Sequence, residues 1–485
     1  MTATRPRAWM FTPDEVEAIV GDALKTLEKT GVFVENDEAR ALLDGAGMQP
    51  REGRIRVPEA RVREALGTVP PSIRLYDRDG ALACDLAGDN VHFDPGSAAL
   101  FFLDPKTRRR RDPTTDDLVR LAWVVESCKN YAAQSTSLVP GDIPGPMRDR
   151  FRLYVALIHS RKPVVTGTFD KDAFAVMRSM LEAIRGGAEA LAEKPLAIFD
   201  CCPTPPLKWS DLTTQALIDS ARAGIPAEMV SMPLAGATSP VTLREMVVQH
   251  CAECLSGVVI HQLARPGAPI VWGGSPSAFD MRHGTTPMGA IETMMVDMGY
   301  AQVGKRLGLP THAYMGLSDA KTVDWQAGME SGIGSVLAAL AGVNMVSGPG
   351  MLDFESCQSL ENIVLGNEIC GMALRLARGI VQRGTVPAPD LLAEVVAREQ
   401  FLGHRHTREN YRAELYLPGP VVDRATYGGW EKAGARSSFD VAVEQVAAIV
   451  ARGCPAPLDQ RRRGALDELM DRETRRLGLS PLPPV

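Results

Sequence analysis

Eight short apolar segments lie between residues 91 and 348, and nearly all of them are followed by a stretch with the spacing of an amphipathic helix. Each segment is bounded by residues that favour turns. The first connection contains the capping run Thr114 to Asp117, followed by apolar residues at helical spacing. Because strands that alternate with helices pair in parallel, this pattern predicts an α/β protein built on a parallel sheet.

The predicted strands cover eight ranges: Val91–Asp94, Tyr131–Ser137, Pro163–Phe169, Leu196–Cys202, Ala227–Pro233, Pro269–Gly274, Thr311–Leu317 and Asn344–Gly348. An open doubly wound sheet is the structural alternative. Eight successive units, with no phosphate-binding glycine loop after the first strand, favour a closed TIM (β/α)8 barrel. In such a barrel the active site lies where the strands end and the helices begin.

The chain has 485 residues, which exceeds the length of one barrel, and the excess lies at both ends. We expect residues 1–90 to form an N-terminal cap of short helices and a hairpin. Residues 91–380 then form the barrel, and residues 381–485 form a C-terminal extension that packs on it.

A formal net charge of −6 argues against a dedicated nucleic-acid-binding protein. The sequence has neither an apolar stretch of transmembrane length nor the core of a signal peptide. Its nine cysteines, without a disulfide-like spacing, fit a reducing compartment. We therefore expect a cytoplasmic protein with no membrane partner, and the sequence leaves a homo-oligomer open.

Polar residues concentrate just beyond the seventh predicted strand. Asp319 and Lys321 follow that strand, and Gln326 and Glu330 lie four residues apart on one face of the next helix. These residues are candidates for the active site. The alternative is that they cap the helix and form a surface ion pair.

Aromatic and small residues mark the ends of other strands. Rings at these ends can receive an organic cation, and glycines let a bulky ligand approach the backbone. The alternatives are packing in the core and tight turns. The candidate rings are Phe93, Phe169, Trp272, Tyr314 and Phe354, and the candidate glycines are Gly273, Gly274, Gly348 and Gly350.

Two histidine-containing segments are candidate metal sites. His250, Cys251 and Cys254 lie within one helix, with no second ligand pair to complete a zinc site. His404 and His406 in the C-terminal extension lack a third histidine nearby. We therefore predict no metal site.

The run Ser318-Asp319-Ala320-Lys321, continued by Asp324, Gln326-Ala327-Gly328 and Glu330, resembles the trimethylamine methyltransferase family. The resemblance extends over nearly the whole chain and includes the segments Phe93-Asp94-Pro95-Gly96 and Asp423-Arg424. It implies a TIM barrel that transfers a methyl group from a methylated amine to the cobalt(I) of a corrinoid. The corrinoid (cobalamin) belongs to a separate carrier protein, and the four glycines become candidate positions for its approach.

One departure from the family pattern bears on the substrate. Family members that demethylate trimethylamine carry pyrrolysine, whereas this chain contains standard residues alone. It is therefore similar to the branch that acts on quaternary amines, with glycine betaine as our first candidate. A quaternary ammonium leaves as a neutral tertiary amine, so general acid catalysis is unnecessary.

The resemblance suggests roles for the candidate residues. Asp319 or Glu330 would balance the ammonium charge, and the aromatic rings would surround it. A betaine carboxylate would need donors, for which the candidates are His312, Lys321, His404 and His406.

Two other functions remain open from the sequence. One is a barrel lyase or aldolase that uses Lys321 as a Schiff-base amine. The other is a betaine-binding protein without catalytic activity.

Overall fold

Eight short strands form the centre of the molecule in the computed structural model, which describes residues 4–383, 387–396 and 400–485. The strands are β1 (His92–Asp94), β2 (Gln134–Ser135), β3 (Val164–Gly167), β4 (Ala197–Cys201), β5 (Ala227–Met229), β6 (Ile270–Val271), β7 (His312–Tyr314) and β8 (Met345–Ser347). Each lies within one of the eight predicted ranges. The strands are therefore confirmed, although they are shorter than predicted.

The strands close into a ring. Strands β2 to β6 pair in parallel as one sheet, and β7, β8 and β1 pair in parallel as a second. At one junction the Ala132 N–H donates to the Phe93 carbonyl at 2.8 Å. At the other, the His312 N–H donates to the Trp272 carbonyl at 2.9 Å. Hydrogen bonds thus join the sheets at both edges, as a (β/α)8 barrel requires.

A helix follows each strand around the ring. Thr114 caps the first of these helices through a reciprocal bond with Asp117, as the capping run predicts. A short helix, Ala188–Glu193, lies between the third and fourth units. The eight barrel helices are α1 (Thr115–Ser127), α2 (Arg148–His159), α3 (Ala173–Arg185), α4 (Asp211–Ala223), α5 (Leu243–Ala264), α6 (Ile291–Arg306), α7 (Trp325–Ala341) and α8 (Leu360–Ala377).

Further helices precede and follow the barrel. The N-terminal helices Pro13–Lys29, Asp37–Gly45 and Glu59–Leu66 pack on α5. In the C-terminal part, Ser438–Ala451 packs on α8 and α1, and Gln460–Arg476 packs on α3 and α2. The remaining helices are Ala388–Val396, Arg405–Glu414 and Tyr427–Lys432.

The predicted domain boundaries at residues 90 and 380 stay predictions. Residues 384–386 and 397–399 of the predicted extension lie outside the described residues. Within the described ranges, no helix combines the length and the apolar character needed to cross a bilayer.

A hairpin from the N-terminal part covers one end of the barrel. Its strands, Ile73–Tyr76 and Leu82–Leu86, pair antiparallel and bury their apolar face. That face packs against residues at or near the starts of barrel strands, Ala133, Val165, Ile198, Val271 and Met345. The amino-terminal end of the barrel is therefore filled by side chains, and a ligand site must lie at the opposite end.

The remaining short strands are outside the ring. They are Phe33–Val34 paired with Lys208–Trp209, Pro50–Arg51 paired with Arg54–Ile55, and a small sheet of Phe101–Leu103, Arg110–Arg111, Met351–Leu352 and Cys357–Gln358.

Helix α7 approaches the loop after β7 so closely that a glycine is required. A Cβ on Gly334 would lie 2.6 Å from the Gly316 backbone nitrogen, whereas a Cβ on Gly332 would meet open space. We expect Gly334→Ala to lower the free energy of unfolding by about 1–3 kcal/mol, because the backbone must move. Gly332→Ala, the control on the same helix, should be neutral or stabilising by up to about 1 kcal/mol. Urea titration of both variants measures this, and equal stabilities would contradict the close approach.

Candidate active site

A cavity of about 460 Å³ opens at the carboxyl-terminal end of the barrel. Its walls come from the ends of several strands and from the segments that follow them. The lining residues with charged or aromatic side chains are Arg152, Phe169, Asp200, Tyr314, Phe354 and Glu355. The cavity therefore lies where the barrel fold predicts an active site.

Three aromatic rings border the cavity. Phe169 follows β3 and is 64% exposed, while Tyr314 ends β7 and is buried. Phe354 belongs to a turn after β8 in which Asp353, Phe354 and Glu355 have φ angles of 52°, 56° and 70°. Three successive residues in the left-handed region are strained, which is typical of functional sites. The strained turn brings both Phe354 and Glu355 to the cavity.

Four carboxyl groups lie in or below the cavity. Asp200 and Glu355 line it, and Asp94 and Glu228 are fully buried beneath. Burial raises the pKa of Asp94 and of Glu355, each to about 8. Burial raises the pKa of Glu228, and the nearby charge of Asp200 raises it further. Burial also raises the pKa of Asp200. The free site therefore holds protons near neutral pH, and a cation that enters can replace one.

Polar contacts connect these carboxyls across the barrel interior. The Tyr314 hydroxyl donates to Asp200 Oδ2 at 3.2 Å, and the Ser347 hydroxyl donates to Asp94 Oδ2 at 2.5 Å. His312 lies between the two sides, with Nε2 3.0 Å from Ser347 Oγ and Nδ1 3.1 Å from Glu228 Oε1. Burial lowers the pKa of His312 to about 3, so its ring is neutral. The bond between Tyr314 and Asp200 joins two cavity-lining groups, and the other contacts lie below the cavity.

The structure brings two of the predicted substrate-binding residues, Phe169 and Tyr314, to the cavity, together with Phe354 from the wider aromatic set. His312 lies in the network below and does not line the cavity. Phe93 is fully buried in the hydrophobic core. Its ring therefore belongs to the packing around β1, and the assignment of Phe93 to substrate binding stays a prediction.

Trp272 also lies away from the cavity, and its assignment to substrate binding stays a prediction. Its side chain is fully buried, and its Nε1 donates to the Tyr300 carbonyl of α6 at 3.0 Å. The ring fills the space that Gly304 leaves on the same helix, where a Cβ would lie 2.5 Å from Trp272 Cδ1. Trp272 therefore packs between the barrel and α6 and forms no wall of the cavity.

The polar residues of the seventh unit form hydrogen bonds with neighbouring loops and do not line the cavity. Asp319 accepts from the Met288 and Gly289 N–H groups at 2.8 and 3.0 Å. Glu330 accepts from the Ser318 hydroxyl at 2.6 Å, and from the Gln326 side chain at 2.9 Å. In this structure backbone and side-chain donors occupy both carboxylates, and the assignment of Asp319, Glu330 and Gln326 to the active site stays a prediction.

Lys321 lies at the outer side of the cavity wall. Its Nζ is 3.5 Å from the centre of the Phe354 ring and 3.4 Å from Asp353 Oδ1. The side chain is 59% exposed and is not among the residues that line the cavity. Lys321 therefore contacts the Phe354 turn from outside the cavity, and its assignment as a catalytic residue stays a prediction.

His404 and His406 lie away from the cavity, at the start of the helix Arg405–Glu414. His404 caps that helix, and its Nε2 is 3.2 Å from Glu394 Oε1. Neither residue lines the cavity. They belong to the C-terminal part of the chain, and their assignment to substrate binding stays a prediction.

The four candidate glycines meet protein atoms where a ligand was expected. A Cβ on Gly273 would lie 2.6 Å from the Met229 carbonyl oxygen, and one on Gly274 would lie 2.5 Å from His250 Nε2. A Cβ on Gly348 would meet the Met315 carbonyl at 2.8 Å, and one on Gly350 would meet Ile363 at 2.7 Å. These glycines permit close packing of the barrel, and their assignment to cofactor approach stays a prediction.

Three charged residues of the cavity are absent from the sequence-based candidates: Arg152, Asp200 and Glu355. Asp200 had a detectable signal, since it is a carboxylate near the end of the fourth predicted strand. Arg152 lies on α2 among residues that are nearly all buried, and a cation in such a helix is also a signal of a functional residue. Glu355 reaches the cavity through the strained turn, which no local pattern predicts.

Comparison with known proteins agrees with this architecture. The model of the trimethylamine methyltransferase family (MTTB) matches residues 1–478. The trimethylamine methyltransferase of Desulfitobacterium hafniense is 29% identical over 95% of this chain and 93% of its own length. That of Methanosarcina barkeri is 31% identical over 93% of this chain and 92% of its own.

A relative that is named for a different substrate is equally similar. The glycine betaine methyltransferase of Desulfitobacterium hafniense is 30% identical over 88% of this chain and 89% of its own. Among solved structures, the monomethylamine methyltransferase of Methanosarcina barkeri superposes with a TM-score of 0.51 at 12% identity, covering 98% of this chain and 90% of that one. That likeness supports the fold, and the full-length sequence match identifies the chain as a methyltransferase that belongs to the trimethylamine methyltransferase family.

Proposed function

We propose that this protein transfers a methyl group from a quaternary amine to the cobalt(I) of a corrinoid held by a separate carrier protein. Glycine betaine is the first candidate for the methyl donor. The observation that carries the proposal is the composition of the cavity, in which Phe169, Tyr314 and Phe354 border the same space as Asp200 and Glu355.

Aromatic rings and carboxylates together suit a cation that cannot donate hydrogen bonds. A ring attracts a desolvated cation by about 2 kcal/mol. An ionised carboxylate adds a direct charge interaction, which is stronger in a cavity that excludes water. A quaternary ammonium depends on both interactions, since it has no N–H group that could donate a hydrogen bond.

Methyl transfer from such a donor requires little acid–base chemistry. The corrinoid supplies the nucleophilic electron pair, and the pair of the broken C–N bond stays on nitrogen. The departing tertiary amine is neutral, so no group of the protein must donate a proton to it. The protein's task is to hold the ammonium with one methyl group toward the open mouth and to exclude water.

The carrier would approach the carboxyl-terminal end of the barrel. The hairpin Ile73–Leu86 fills the opposite end, so the cavity is reached from this side. Leu100 and Phe169 at the cavity are 58% and 64% exposed, which provides apolar surface for a partner. We propose this face as the docking surface.

The proposal is tested against the lyase alternative by removing the Lys321 amine. We expect Lys321→Met to retain methyl transfer from glycine betaine to free cob(I)alamin within about threefold of the wild type, because Lys321 lies outside the cavity wall. The dimethylated amine produced is measured by mass spectrometry. Borohydride in the presence of substrate should leave the mass of the wild-type protein unchanged. A lysine adduct in the wild type would support the lyase, and loss of methyl transfer in the variant would contradict the placement of Lys321 outside the site.

A further inference from the structure

We propose that Arg152 is the subsite for the anionic end of the methyl donor. The inference rests on the proposed function and deepens it. It makes Arg152 the residue that selects ammonium compounds bearing a carboxylate over those that lack one. None of the four donors suggested by the sequence for that carboxylate lines the cavity, whereas Arg152 does.

The Arg152 guanidinium is fixed in position. Its Nη1 donates to the Thr136 carbonyl at 2.7 Å, and its Nη2 donates to Asp149 Oδ1 at 3.1 Å. The other oxygen of Asp149 accepts from the Phe169 N–H at 2.6 Å. The guanidinium is thus tied to the segments after β2 and β3, and a fixed donor loses little freedom when it binds a ligand.

Within the described part of the chain, one nitrogen of this fixed group makes no hydrogen bond. Arg152 Nε is buried and has no hydrogen-bond partner among the described residues, and the side chain is 1% exposed. A buried N–H without an acceptor is costly, and charged donors are costlier than neutral ones. The two bonds already made explain how Arg152 is held, but they leave Nε available for an acceptor from a ligand.

The charged groups of the cavity favour a ligand that carries a positive charge at one end and a negative charge at the other. Among the described residues that line it, Arg152 is the one with a cationic side chain, while Asp200 and Glu355 carry carboxyls. The carboxyls suit the ammonium end, and a carboxylate on the same molecule would supply the acceptor that Nε lacks. Guanidinium groups bind carboxylates with defined geometry, which an ammonium such as lysine does not reproduce.

The ring of Phe169 contributes to the same subsite. Its centre lies 5.0 Å from Arg152 Cζ, so the ring covers one side of the guanidinium while it also lines the cavity. A donor shielded from water in this way interacts more strongly with a charged acceptor.

Calorimetric titration with glycine betaine, choline and tetramethylammonium tests the subsite without any corrinoid. Choline carries a hydroxymethyl group where glycine betaine has its carboxylate. We expect the wild type to bind glycine betaine at least tenfold more tightly than either cation. Arg152→Gln should remove that preference by weakening glycine betaine binding at least tenfold and changing choline binding less than threefold. Arg152→Lys should recover part of the preference.

Arg148→Gln is the matched control on α2. Arg148 donates to the Ile143 carbonyl at 2.9 Å and does not line the cavity, so its replacement should leave all three affinities unchanged. Equal weakening of glycine betaine and choline in Arg152→Gln would assign Arg152 a structural role and overturn the subsite. Equal affinity of the wild type for the three compounds would also overturn it, even if every Arg152 variant failed to fold. Absence of binding by all three would overturn the proposed function as well.

Discussion

Asp200→Asn is expected to lower kcat/KM for a quaternary amine by about two to three orders of magnitude, equivalent to ~3–4 kcal/mol. Asp200 lines the cavity beside Tyr314, whose hydroxyl donates to it at 3.2 Å. Asparagine keeps the size and can accept the same hydrogen bond, but it removes the negative charge that faces the ammonium. The loss is large because Asp200 lies among the strand ends, where water screens its charge less than at the surface.

The measurement is methyl transfer from glycine betaine to free cob(I)alamin at pH 8.5, where the acidic groups of the site are ionised to the greatest extent. Asp297→Asn is the control, since Asp297 is a buried carboxyl of α6 that does not line the cavity. Circular dichroism and urea titration establish that both variants are folded. Equal kcat/KM in Asp200→Asn and the wild type would contradict the role of Asp200.

Substrate affinity is expected to increase with pH by about tenfold per unit, for one released proton, up to about pH 8. Burial raises the pKa of Glu355 to about 8, and it raises that of Asp200 as well. These carboxyls are therefore protonated in the free site at pH 6. A permanent cation favours their ionised form, so its binding must displace a proton. Above about pH 8 the carboxyls are already ionised, and the affinity should become constant.

Calorimetry at pH 6, 7, 8 and 9, in buffers with different enthalpies of protonation, measures both the affinity and the number of protons released. Tetramethylammonium is a suitable probe because it does not titrate. The number of protons that the protein releases when tetramethylammonium binds should be lower in Asp200→Asn, which has one fewer carboxyl at the cavity. A dissociation constant that does not change with pH would show that these carboxyls do not exchange protons for the substrate.

The strand positions were predictable from the sequence because each barrel strand is a local apolar run between turns. Closure of the barrel was also predictable, since eight units in succession have few alternatives. The strand lengths were less accurate. Only two residues of β6 pair with β5, for example, although six residues have strand-like composition.

The site residues were harder to predict, because the direction of a side chain depends on contacts distant in sequence. Trp272 and Tyr314 both lie at strand ends, but Trp272 packs on α6 while Tyr314 points to the cavity. Asp319 and Glu330 have the composition of a catalytic pair, yet loop N–H and hydroxyl groups occupy them. Glu355 reaches the cavity through three residues with positive φ, a conformation that the sequence does not indicate.

The most direct test of the central claim is the methylation of cob(I)alamin, followed by visible absorbance, with glycine betaine, proline betaine, carnitine and trimethylamine supplied separately. We predict that methylcobalamin forms from at least one quaternary amine and not from trimethylamine, because the cavity is suited to a permanent cation that leaves as a neutral amine. Formation from trimethylamine alone, or from none of the four with a corrinoid carrier protein present, would contradict the account.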